Sequence, residues 1–85
     1  MNSIQDLIDL CESFKRGEFD AENFQRKLEV IFLPDSCKYT LEKKQENAHE
    51  ELEFIRFSYL KEQQKQHADK VADELIAAAQ AELDK

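Results

Sequence analysis

Eighty-five residues make one domain, and a chain this short buries only about 60–65% of the surface its unfolded form exposes, too little for a deep catalytic cleft. One Gly, one Pro, no Trp and 36% charged residues describe an all-α domain rather than an α/β enzyme. The net charge is −7, with eight acids against four bases in residues 1–35 and eleven against eight in residues 36–85, so neither half suits direct contact with nucleic acid or an anionic membrane surface. A basic protein is the electrostatic complement.

Ser3 is placed to cap a first helix with Asp6 at its N3 position, and Ile4, Leu7, Ile8, Cys11 and Phe14 mark one helical face. Gly17 ends this helix after Lys15 and Arg16, the cations favoured at a C-terminus. Asp20 caps the second helix, and Phe19 just before it is spaced to staple onto Phe24. The pattern predicts that this helix runs through Phe24, Leu28, Ile31 and Phe32 to Pro34, with Asp35, Ser36 and Cys37 as the following loop, so the first two helices form a tight antiparallel hairpin. The opening MNSIQDLIDL has acids where a signal peptide needs bases, and no apolar run reaches the length of a membrane span, which reads as a cytoplasmic chain.

From Tyr39 to Lys85 there is no Gly or Pro, yet one helix of about 45 residues would be about 68 Å long, far beyond a domain of this mass. Leu41, Ala48, Leu52, Ile55 and Tyr59 share one stripe, whereas Ala68, Val71, Ala72, Leu75, Ile76, Ala79 and Leu83 form another, rotated by about 200°. The polar stretch Lys61–His67 between them is the expected turn. The predicted fold is therefore all-α, a small four-helix bundle over residues 1–85, with an N-terminal helical hairpin and two longer C-terminal helices. A long, bent or dimeric helix is the alternative.

Motifs for chemistry are sparse. Glu46 and His49 match a Glu-x-x-His element, but the second copy expected of a di-iron bundle has Gln64 before His67, so no metal site is expected. Cys11 and Cys37 are too few for a disulfide framework and read as free structural thiols, with one bridge between them as the alternative. Neither has a histidine beside it, there is no Gly-x-Ser-x-Gly elbow, and Gly17 stands alone where a phosphate loop needs several glycines. No cofactor and no catalytic residue is expected.

The unusual feature is on the third helix. Opposite its apolar stripe lie Glu46, Glu50, Glu53 and Phe57, with Phe54 on the flank. Either this helix is sandwiched centrally in the bundle, or it offers a partner an acidic surface with aromatic anchors. A second strip, Asp69, Asp73 and Asp84, is expected on the outer face of the fourth helix. Acids on exposed helix faces also serve plain solubility.

Ile4-x-x-Leu-Ile-x-x-Cys-x-x-Phe14, followed by Lys-Arg-Gly-Glu-Phe-Asp-Ala-Glu-Asn-Phe24, resembles the opening of colicin D-type immunity proteins and related contact-dependent inhibition immunity proteins. The likeness covers residues 4–33. It implies a small acidic helical bundle, made beside a toxic nuclease that often cleaves transfer RNA, which binds the nuclease one-to-one and covers its basic active-site groove. The second half lacks the family's acidic-aromatic segment, so no binding residue is carried over from it. The expected contacts come from the residues themselves: Glu46, Glu50, Glu53 and Asp69 as anions and Phe57 as apolar anchor. A non-enzymatic adaptor or oligomeric coiled-coil protein, using the second half as an arm, is the competing expectation.

Overall fold

Caps and breakers divide the chain into four helices in the computed structural model, which describes residues 3–84. These are α1 (Ser3–Lys15), α2 (Ala21–Glu29), α3 (Leu41–Ser58) and α4 (Lys61–Leu83), with a 3-10 turn at Asp35–Cys37 and no strand among the described residues. Helix α1 already includes Ser3, which was expected to cap it, and the positions before it lie outside the described residues. Its other end stops at Gly17, whose φ of +83° is the left-handed conformation that glycine adopts without a Cβ penalty. There the Gly17 amide donates to the Phe14 carbonyl at 2.9 Å and the Glu18 amide to Ser13 at 3.2 Å, which satisfies carbonyls the helix would otherwise leave open.

The turn into α2 is as expected. Asp20 accepts a hydrogen bond from the Asn23 amide at 2.9 Å, and the Phe19 ring lies 6.4 Å from Phe24. Phe24 in turn stacks on Phe14, with ring centroids 4.4 Å apart, and both are fully buried. This pair closes the α1–α2 hairpin, and a fully buried aromatic of this kind contributes about 1.5–3 kcal/mol.

Two boundaries differ from expectation. Helix α2 ends at Glu29 rather than at Pro34, and Ile31–Pro34 continue as a strap without regular structure. β-branched Val30 and Ile31 favour helix weakly, and Pro34 pushes Leu33 toward extended backbone. The decisive partner is remote: Gln45 of α3 donates from its Nε2 to the Leu28 carbonyl at 2.8 Å and the Ile31 carbonyl at 2.9 Å, which fixes the chain where it leaves the helix.

The turn between α3 and α4 lies at Tyr59–Leu60, not in the polar stretch Lys61–His67, which forms the first two turns of α4. Those polar side chains act on neighbouring helices. Gln64 donates to the Arg56 and Tyr59 carbonyls at the end of α3, at 3.3 and 3.1 Å. Lys65 donates to the Phe14 and Lys15 carbonyls at the end of α1, at 3.2 and 3.1 Å, with its ammonium 4.8 Å from the Phe14 ring centroid. His67 stacks on Tyr59 at 3.8 Å. Folding back at Tyr59–Leu60 removes the single long helix.

Helix α4 packs along both α1 and α3, while α2 packs between α1 and α3 on the other side, giving a four-helix bundle of 38 × 22 × 19 Å. The cross-links Glu22 to Arg56 and Leu28 to Gln45 show that α2 runs antiparallel to α3. Most of both stripes read from the sequence is buried in the core, Leu41, Ala48, Leu52 and Ile55 from α3 and Ala68, Val71, Ala72, Leu75 and Ala79 from α4, whereas Tyr59 and Ile76 are half-buried and Leu83 is exposed. Cys11 and Cys37 are buried and unbridged. Among the described residues no helix is long and apolar enough to cross a membrane.

Removing Gln45 should expose the dependence on this cap. Gln45→Ala is expected to lower unfolding free energy by about 1–3 kcal/mol, since the Leu28 carbonyl of α2 and the Ile31 carbonyl of the strap each lose a side-chain donor. Urea unfolding followed by circular dichroism would read it, and an unchanged midpoint would mean that water replaces the amide at no cost.

Candidate partner-binding face

The α2–α3 seam determines which side chains of α3 remain free. Gln25 is 4% exposed and forms its polar centre. Its Oε1 accepts from Arg56 at 2.5 Å, and its Nε2 donates to the His49 carbonyl at 3.4 Å and lies 3.3 Å from the His49 ring Nε2. Arg56 also approaches Glu22 at 3.6 Å, and His49 Nε2 lies 2.5 Å from the Glu29 carboxylate. Both cationic or polar groups on the flank of α3 are thus held by acids of α2.

Beyond that seam the outer face of α3 faces solvent. Glu46, Glu50 and Glu53 are exposed, and none has an ion-pair partner among the described residues. Phe54 is 64% exposed and Phe57 79% exposed, so α3 is not sandwiched in the bundle. The Phe57 ring has the Arg56 guanidinium 6.0 Å from its centroid and borders a shallow depression with Asp20, Glu22, Lys61 and Gln64. Four of the sequence-derived residues, Glu46, Glu50, Glu53 and Phe57, therefore share one helix face, spaced at four, three and four residues.

Asp69 does not join them. It is half-buried at the α1–α4 seam, where it accepts from Lys65 at 2.9 Å. Asp73 lies on the same seam, paired with Lys15 of α1. Of the expected outer strip of Asp69, Asp73 and Asp84, Asp73 cross-links to α1, Asp69 pairs along α4 with Lys65, and Asp84 is exposed. Asp73, by hydrogen bond and then by charge, holds the Lys15 ammonium above its ordinary pKa. Sequence periodicity missed this because acids flanking an apolar stripe look alike whether they meet water or a neighbouring lysine.

The structure adds a feature that the sequence did not single out. Phe32, expected inside a helix, lies on the strap after α2 and is 82% exposed. It borders a recess of about 420 Å³ between the end of α2 and the N-terminal half of α3, with Leu28, Ile31, Glu42, Glu46 and Glu50. A Phe two residues before a proline was the available signal, and its register in the expected helix masked it.

Neither motif considered for chemistry is assembled. His49 turns to Glu29 rather than to Glu46, His67 is stacked on Tyr59, and no group of three His, Cys, Asp or Glu among the described residues is arranged to hold a metal ion. Burial, and then the charges of Glu12 and Asp73, push the Cys11 thiol up from 9.0 to about 12, which keeps it protonated and a poor nucleophile. No family model, no curated protein and no solved structure matches this chain. The likeness to immunity proteins rests on the residue pattern of positions 4–33.

Cys11 gives the bundle an alkaline limit. Below pH 9.0 both folded and unfolded chains hold the thiol proton, whereas between 9.0 and about 12 only the folded chain does. Its contribution to stability therefore falls as pH rises, by at most about 1.4 kcal/mol per pH unit. Unfolding curves from pH 8 to 11 should fall more steeply for the natural chain than for Cys11→Ala; parallel profiles would contradict the burial of the thiol.

Proposed function

We propose that this chain is an immunity protein that binds a basic toxin nuclease, an RNA-cleaving one in particular, and neutralises it by laying the outer face of α3 over the cationic active-site groove. One observation carries the reading: two phenylalanines stand in solvent among three unpaired glutamates, on a helix whose inner face is already filled by the core. Exposed large rings clustered on one face are a mark of interaction surfaces, and aromatic anchors concentrate binding energy. The surrounding carboxylates suit a groove built to hold phosphates, and their long-range attraction speeds encounter with a basic partner.

The division of labour follows from solvation. Glu46, Glu50 and Glu53 act mainly on association rate, because exposed charges are screened and gain little once paired. Phe57 and Phe54 act on dissociation, since their rings leave water only in the complex. Asp69, engaged by Lys65, takes a supporting part through the overall negative field. The competing reading, a non-enzymatic helical adaptor or oligomeric coiled-coil protein, has to use a second half that folds back as two helices over residues 41–83.

Light scattering of the chain alone and with a candidate basic nuclease domain from the same locus tests this reading. A monomer that forms a one-to-one complex and stops RNA cleavage is expected. Phe57→Ala should keep its helical circular dichroism yet weaken the complex at least about tenfold, mostly through faster dissociation. A stable homodimer with no such complex would overturn the proposal in favour of an oligomeric adaptor.

A further inference from the structure

The early end of α2 leaves part of α3 without a helical neighbour. Where another turn of α2 would run, the strap Ile31–Pro34 crosses instead, pinned by the Gln45 amide to the Leu28 and Ile31 carbonyls. The result is a recess of about 420 Å³ with an apolar wall of Leu28, Ile31 and the exposed Phe32 ring. Its other wall is a ridge of α3 carboxylates, Glu42, Glu46 and Glu50.

We infer that this recess holds an amphipathic helix of the basic partner, with an apolar side chain seated against Phe32 and cations along the ridge. The inference deepens the immunity reading, on which it rests for the partner's basic character, by naming the element that is gripped. Spacing selects the occupant. Glu42, Glu46 and Glu50 recur every four residues, which is about 6 Å per step along a helix axis. A helix laid alongside presents lysines or arginines at the same four-residue interval, and its apolar stripe, offset from them, turns into the recess. Nucleic acid is repelled by the ridge, and an acidic or neutral segment leaves the carboxylates unmatched. A second copy of this chain is a poor fit, because none of its helices carries three cations at four-residue intervals.

The test uses the full chain and a synthetic helix-forming peptide of about 15 residues, roughly four turns, with a leucine stripe and lysines every fourth residue. Binding is measured by fluorescence anisotropy at about 0.15 M salt, where exposed-charge attraction is screened beyond about 8 Å. A peptide of the same composition with its order scrambled is the control, and it is expected to bind at least about tenfold more weakly. Phe32→Ala is expected to weaken the patterned peptide about tenfold or more, and Glu46→Lys with Glu50→Lys to abolish its binding. All three positions are exposed, and circular dichroism of each variant confirms that the bundle is intact. Equal affinity for patterned and scrambled peptides, or affinity independent of Phe32, would overturn the inference. So would a concentration-dependent dimer that Phe32→Ala dissolves, which would assign the recess to a second copy. If Phe57→Ala weakens nuclease capture while Phe32→Ala does not, the recess inference fails and the immunity reading stands. If the peptide is held through Phe32 but no basic nuclease is captured, the recess stands and the immunity reading fails.

Discussion

Every helix of a small bundle ends in carbonyls without intrahelical partners, and in a chain with one glycine the backbone turns that follow α2 and α3 are supplemented from elsewhere in the bundle. Only α1 uses the glycine. The other solution is side chains lent by neighbours: Gln45 of α3 caps α2, Gln64 of α4 caps α3, and Lys65 of α4 caps α1 a second time. Each of these bonds ties the end of one helix to the flank of another. Capping and packing are therefore one set of interactions, and the order of the helices around the bundle follows from which end each polar side chain reaches.

That arrangement also decides what is left over. Acids of α2 take up Arg56 and His49, while α1 and α4 pair Lys15 with Asp73 across their seam and Lys65 with Asp69 along α4. The outer face of α3 has no such neighbour. It keeps three free carboxylates and two exposed rings, and the strap after α2 adds Phe32 at its edge. Exposed rings among carboxylates on one helix face are the ground on which the partner-binding proposal rests. The stable core lies on the opposite side of the same helix, which makes α3 a rigid platform rather than a loop that must order on binding.

The helix count, the Asp20 cap, the Phe19–Phe24 staple and both apolar stripes were legible because each is a local pattern, repeated at helical spacing. The end of α2 and the position of the α3–α4 turn were not. At both, a glutamine donates to carbonyls of another helix or of the connection after it, Gln45 across the bundle and Gln64 just across the turn, and such a glutamine looks the same in sequence as one in water. The acidic face of α3 was legible for the same reason as the stripe opposite it. Asp69 was placed on the outer face because the packing of α1 along that side of α4, where Lys65 reaches the Phe14 and Lys15 carbonyls, is invisible to periodicity, and Phe32 was hidden within a helix that stops short.

The most direct measurement is an amide nuclear magnetic resonance titration of the labelled chain with a basic nuclease domain of the proposed class. If the outer face of α3 is the interface, shift changes should concentrate on Glu46–Phe57 and at Phe32, and leave the α1–α4 seam around Lys15, Asp69 and Asp73 unmoved. Changes centred on that seam, with α3 silent, would contradict a partner-binding role for the exposed phenylalanines.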